Sequence, residues 1–281
     1  MPQILPVPTL DHVVVNARDR LDEAADVYSR LGFTLTPRGY HTLGSMNHLA
    51  MFGTDYLELI AVRPGDTARP EVMAAPIGLD GLVFGSEDAD GTYAALREAN
   101  VQVDPPQSFS RPVTIDGREA DAHFRTTRLP RSVSSSGRLY FCQHLTRGLV
   151  WRDIWRHHAN GVVGIARAVI AATDPDGVGA LFRRMFGPQA VRNTDDGCAL
   201  IAGLSRFDVV TPAALWEMFG DAAAESRGRA DYMAALTLRT VSLDAAESAL
   251  EAGGIRGIDR IGASVLVPAS EAFGVTLEFT V

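Results

Sequence analysis

Leu10-Asp11-His12-Val13-Val14-Val15 is a short β-branched run, and beyond it the apolar residues change period. From Asp19 to Leu31 the apolar residues Leu21, Ala24, Val27, Tyr28 and Leu31 fall at helical spacing, with Asp19 as the expected N-cap and Gly32 as the stop. Phe33 to Thr36, Asn47 to Phe52 and Tyr56 to Val62 then read as strands. The predicted unit is βαβββ.

The same grammar recurs three times with different residues. Leu79-Asp80-Gly81-Leu82-Val83-Phe84 leads into a helix from Asp90 to Asn100, and Leu139 to Leu145 closes that copy. Ala166 to Ala171 precedes Asp174-Pro175, a cap with proline at the first helical position, and Arg206 to Val210 closes the third. Ala235 to Val241, a helix from Asp244 and a last strand from Val275 to Val281 form the fourth. Asp174 to Asp244 and Asp208 to Glu278 are both 70 positions apart, so one offset relates the third and fourth copies at two anchors. In the second copy, Asp116-Gly117 reads as a hairpin turn and Arg131 to Gly137 as a surface loop. One βαβββ unit leaves a sheet face uncovered, so units must pair. The expected class is α+β, with four βαβββ modules paired into two domains of curved mixed sheet and outer helices. The boundaries are 1–150, a linker at 151–161 ending in Asn160-Gly161, and 162–281. Module 1 pairing with module 2 and module 1 pairing with module 4 are both open.

Composition sets limits on function. The 281 residues are 46% hydrophobic and 21% charged, which places the chain among globular proteins. No apolar stretch is long enough for a membrane span, and the N-terminus lacks the basic start and apolar core of a signal peptide, so a cytoplasmic address is expected. The net charge of −8 and scattered basic residues argue against nucleic acid. Every basic residue is arginine, which excludes Schiff-base lysine chemistry and a Walker lysine. Cys142 and Cys198 sit in apolar runs and read as buried free thiols. There is no G-x-S-x-G, H-E-x-x-H or strand-following G-x-G-x-x-G motif.

First and last strands of such units can face a cavity between them. Aligning the copies gives His12, Gly81, Arg167 and Thr237 on the first strands, and Glu58, Gln143, Asp208 and Glu278 on the last. Only module 1 supplies two metal-type ligands. Glu58 lies in the doubly apolar strand Tyr56-Leu57-Glu58-Leu59-Ile60, where its charge requires a metal, an arginine, a histidinium or protonation. It is the candidate catalytic group, and His12 with Glu58 the candidate metal pair. Tyr56, Gln143, His144, His48 and Trp151 are candidate substrate contacts. His41 and His48 flank Gly44-Ser45-Met46-Asn47, read as a loop over the cavity mouth.

The opening strand, the helix running into Leu31-Gly32-Phe33, the Tyr56–Ile60 strand, Phe141-Cys142-Gln143-His144-Leu145-Thr146, Trp151-Arg152 and His158-Ala159-Asn160-Gly161 resemble the vicinal oxygen chelate superfamily, narrowly its glyoxalase-like domain proteins. The resemblance covers residues 8 to 165. It implies a divalent ion such as Zn, Fe, Mn or Ni, held here by an incomplete set of His12 and Glu58. It implies an enzyme acting on a small oxygen-rich substrate through a metal-stabilised enolate, of lyase, isomerase or dioxygenase type. The alternative is a metal-free small-molecule binder like the bleomycin-resistance members. The expected partner is a small molecule, neither nucleic acid nor membrane, with a homodimer allowed.

Overall fold

The computed structural model describes Leu5 and residues 7–281. β1 (Leu10–Arg18), α1 (Leu21–Arg30), β2 (Gly39–Tyr40), β3 (Ser45–Met51) and β4 (Tyr56–Val62) form the first module. After the short α2 (Pro70–Ala74) come β5 (Gly78–Gly85), α3 (Ala89–Glu98), β6 (Gln107–Ile115), β7 (Arg118–Arg128) and β8 (Arg138–His144). The third module is β9 (Val162–Ala171), α4 (Pro175–Phe186), β10 (Val191–Thr194), β11 (Gly197–Ala202) and β12 (Ser205–Val210), and α5 (Pro212–Phe219) comes after it. β13 (Tyr232–Thr240), α6 (Leu243–Ala252), β14 (Asp259–Ile261), β15 (Ser264–Val267) and β16 (Thr276–Thr280) complete the chain.

The strands make two eight-stranded mixed sheets of identical topology, β2-β3-β4-β1-β5-β8-β7-β6 and β10-β11-β12-β9-β13-β16-β15-β14. Module 1 therefore pairs with module 2, through the antiparallel contact of β1 and β5, and module 3 with module 4 through β9 and β13. Gly81 occupies the crossing point of β1 and β5 because a Cβ there would come 2.9 Å from the Cβ of Val14. Asp116 and Gly117, both at positive φ, turn β6 into β7 as the dipeptide predicted.

Three local expectations are corrected. Phe33 to Thr36 is not a strand, since the first short strand after α1 is Gly39–Tyr40. Asp19 does not cap α1, which starts after Arg20 without a side-chain cap, whereas Asp88 caps α3. Ser242, not Asp244, caps α6 by accepting from Ala245 N–H, so the helix anchors of modules 3 and 4 lie two residues closer than the strand anchors.

The outer faces of both sheets and helices α1, α3, α4 and α6 share one apolar core. Phe84 of β5 is its hinge, with ring centroids 4.9 Å from Phe186 and 5.7 Å from Phe207. The inner faces differ. That of the second sheet is filled by Ala214, Leu215 and Phe219 of α5 packing on Val169, Ala171 and Ala235. In the first sheet the outermost strands approach each other: Thr42 and Ser110, beside β2 and on β6, exchange backbone and hydroxyl hydrogen bonds. The sheet curls nearly into a barrel and keeps an interior.

Asp55 bridges the two sheets, accepting the Ile165 N–H at 3.0 Å. Burial pushes its carboxyl up to about 6, although Ile165 N–H and Arg239 oppose the shift. The folded protein thus holds a proton that the unfolded chain releases, and stability should fall as pH rises from about 4 to 6. Asp55→Asn keeps an acceptor for Ile165 and should flatten that slope, with a gain at pH 7 of up to about 3 kcal/mol. Urea melts across this pH range measure it, and parallel wild-type and variant profiles would contradict it.

Candidate active site

β1, β4, β5 and β8 form the floor of the barrel interior. His12 pairs in register with Tyr56 and Val14 with Glu58, while Gly81 pairs with Arg138 and Val83 with Tyr140. Tyr140 therefore takes the place in module 2 that Glu58 holds in module 1. The sequence alignment put Gln143 there. An odd displacement along a strand reverses the face, and Gln143 points away: its amide accepts from Ala89 N–H and donates to Glu87 C=O, tying down the start of α3. In module 4 the first-strand position matching His12 is Ala235, two residues from the expected Thr237.

The cavity is about 40 Å³ and is lined by His12, Tyr56 and Glu58 together with His41, Asn47, Arg69, Arg111, Arg128, Arg138 and Tyr140. His48 is elsewhere, its Nδ1–H donating to Thr36 C=O. His144 and Trp151 lie behind Tyr56, packed on its ring edge. His158, in the segment that resembled the family, is bound by Thr34 N–H and donates to Met51 C=O.

Asp11, His12 and His144 form a buried chain. Asp11 Oδ1 accepts from His12 Nδ1 at 2.6 Å and from His144 Nε2 at 3.1 Å. Burial alone would raise the Asp11 carboxyl, but His144 and His12 hold it well below its usual value. An ionised Asp11 can only accept, so Nδ1 of His12 carries a proton and, in the neutral ring, Nε2 offers its lone pair to the cavity. Tyr140 Oη lies 3.2 Å from that Nε2, and burial raises its phenol far enough to keep the hydroxyl protonated. The His12 ring stacks on Tyr56 at 4.4 Å, which fixes its plane.

Glu58 faces this imidazole, Oε2 to Nε2 3.7 Å, and Oε1 accepts from Asn47 Nδ2 at 2.6 Å. Burial works against its carboxylate, but His41, His12, the Asn47 amide and Arg138 outweigh it and hold the carboxyl below its ordinary value. Burial drives His41 down to about 4 despite Glu58, with Arg111 and Arg69 reinforcing the shift. That ring is neutral at pH 7.

A divalent ion needs donors that converge. His12 and His41 approach different oxygens of Glu58, at 3.7 and 3.9 Å, and the two rings do not close on one point. Among the described residues the His, Cys, Asp and Glu donor atoms that do gather within 4.8 Å are those of Asp11, Cys142 and His144. There Asp11 is already bonded by two imidazoles, and burial with Asp11 and Glu58 nearby pushes the Cys142 thiol well up, so it keeps its proton. Four guanidinium groups against one carboxylate in the cavity lining add like-charge repulsion. His12 and Glu58 lie 3.7 Å apart, but the residues around them do not fit a divalent cation.

In the second sheet Arg167 stands where His12 stands in the first. Its guanidinium is 2.9 Å from Glu278 and 3.6 Å from Asp208, and Thr237 donates to Glu278 at 2.6 Å. Those carboxylates are neutralised internally, under α5. A larger cavity of about 680 Å³ lies between the sheets, walled by Asp11, Asp55, Phe141 and Phe186. The Asp11 and Asp55 carboxylates of its wall are engaged by protein donors, Asp11 by two histidines and Asp55 by Ile165.

No helix of the described residues is long and apolar enough to cross a membrane. No curated protein matches the chain in sequence. Among solved structures, a hypothetical protein from Staphylococcus aureus superposes with TM-score 0.66 at 13% identity, covering 97% of this chain and 99% of that one. A xylose isomerase-like TIM barrel/4-hydroxyphenylpyruvate dioxygenase fusion protein gives 0.61 at 13%, covering 99% and 50%. A mutant 4-hydroxymandelate synthase from Streptomyces coelicolor gives 0.58 at 10%, covering 98% and 92%. The glyoxalase-like domain family matches residues 10–186, and with the paired βαβββ sheets this makes the chain a member of that family.

Proposed function

We propose that the chain is an enzyme that moves a proton on a small, oxygen-rich molecule, in an isomerase- or lyase-type reaction through an enolate. The observation that carries this reading is the buried Asp11–His12 pair, which presents the Nε2 lone pair to a cavity beside Glu58 and Tyr140. His12 Nε2 takes a proton from the carbon next to a carbonyl, the C–H electron pair becomes the C=C bond of the enolate, the carbonyl π pair moves onto its oxygen, and the imidazolium later returns a proton to carbon. Once Nε2 carries the proton it no longer accepts from Tyr140, and the Tyr140 hydroxyl is free to donate, with the Arg138 guanidinium, to that oxygen where the superfamily commonly uses a metal. Asp11 then stabilises the imidazolium, as the carboxylate does in other histidine bases. Glu58, ionised and held by Asn47, serves to orient a substrate hydroxyl rather than to act as the base.

Proton exchange tests this without knowledge of the net reaction. Small oxo acids and their esters, incubated with the protein in D₂O, should lose the NMR signal of protons next to the carbonyl. A panel that exchanges no faster than in buffer would leave the second reading, a small-molecule binder without chemistry.

A further inference from the structure

We propose that the substrate of this site is a monocarboxylate, and that Arg111 and Arg128 form its anchor. This rests on the proton-transfer reading for the site's identity, and on a separate observation for the ligand. Of the four guanidinium groups lining the cavity, Arg69 pairs with Glu71 and Arg138 with Asp80. Arg111 and Arg128 have no carboxylate partner among the described residues. Arg111 is 4% exposed and makes one hydrogen bond, from Nη1 to Asn47 Oδ1 at 3.2 Å, while its buried Nε has no acceptor. Arg128 donates to the Thr126 hydroxyl at 3.2 Å and lies 5.2 Å over the Tyr140 ring. Burial pushes both groups down from their ordinary value, so each is held at an electrostatic disadvantage.

The chain gives up side-chain volume to place Arg111 there. Gly39, whose φ any residue could adopt, stands where a Cβ would overlap the Arg111 guanidinium and the Asn47 amide. The glycine is needed for room, not for conformation. The loop at Thr42 is bonded to Ser110, the neighbour of Arg111, so this wall is fixed from both sides. Glu58 is the one carboxylate that lines the cavity beside these two unpaired cations, so the lining carries an excess of positive charge. A carboxylate offsets it, and its paired oxygens suit the planar fork of a guanidinium. The cavity of about 40 Å³ takes a group the size of a carboxylate or a few waters, so the rest of the molecule must extend beyond it, past half-buried lining residues such as Leu43 and Phe109.

The test is calorimetric titration of the full chain with aliphatic and aromatic α-keto monocarboxylates, each beside its neutral methyl ester. Acids should bind and esters should bind roughly tenfold to a hundredfold more weakly, the size expected for losing charge-assisted hydrogen bonds. Arg111→Gln and Arg128→Gln should each weaken the acid by about tenfold and the ester by clearly less, so that the preference for acid over ester shrinks. Circular dichroism checks folding, and if one variant unfolds the other carries the test. Esters binding as well as acids, acids binding folded variants as tightly as wild type, or no acid binding at all would overturn the anchor. The proton-transfer reading fails separately: acids that bind through Arg111 and Arg128 but never exchange protons keep the anchor and remove the chemistry. Esters that exchange as fast as acids and bind as tightly do the reverse.

Discussion

His12→Gln should slow proton exchange by about 10²–10⁴-fold, the range that a positioned general base contributes. The imidazole is the one group of the cavity lining whose lone pair is aimed by a buried carboxylate, Asp11 at 2.6 Å, and whose plane is set by stacking on Tyr56. Asp11→Asn gives a sharper form of the same expectation. An asparagine can turn its NH₂ toward His12 and let Nδ1 accept, which moves the ring proton to Nε2 and leaves no lone pair facing the cavity. Exchange should then drop nearly as far as in His12→Gln, although the histidine is still present. Exchange in Asp11→Asn at the wild-type rate would remove the dyad, and exchange in His12→Gln at that rate would remove His12 as the base. Thermal melts of both variants separate loss of chemistry from loss of fold, because Asp11 also holds His144.

Much of this architecture is written in local patterns. The β-branched starts, the apolar helix faces and the Asp174-Pro175 cap repeat within short windows, so the four modules are visible without coordinates. His12, Tyr56 and Glu58 were legible because charged or polar groups inside apolar strands are conspicuous. The anchor was not. All 26 basic residues are arginines, so Arg111, Arg128 and Arg138 stand out from the others only once the barrel closes. One signal was present: Arg138, Tyr140 and Cys142 alternate along β8 and share a face, which by the period of a strand excludes Gln143 from it. His41 flanks the loop expected over the cavity mouth, and its burial was not legible because it comes from contact with β6, about 70 residues further along the chain. The filled inner face of the second sheet was equally hidden, since α5 lies outside the βαβββ grammar.

Glu58→Gln should destabilise the protein by about 3–5 kcal/mol at pH 7, the range found when one member of a buried charge set is removed. From sequence alone a metal-free Glu58 looks like a desolvated charge whose loss is harmless. The structure reverses the sign, because Glu58 is the one carboxylate among the guanidinium groups of the lining and accepts the Asn47 amide at 2.6 Å. Its carboxyl is held below the ordinary value in the folded state, so on acidification the unfolded chain binds the proton first. The stability it contributes is complete above about pH 5 and is lost as pH falls through the folded value, whereas the Asp55 contribution moves the opposite way. Wild type and Glu58→Gln should therefore differ most at neutral pH and converge in acid. A chelator provides the decisive control. If the guanidinium groups are what Glu58 balances, EDTA leaves the wild-type melting temperature where it was. A wild type that EDTA destabilises, beside a variant it does not touch, would mean that Glu58 holds a metal ion, and the arginine-lined cavity would have to be reread as a site for the anion that accompanies that metal.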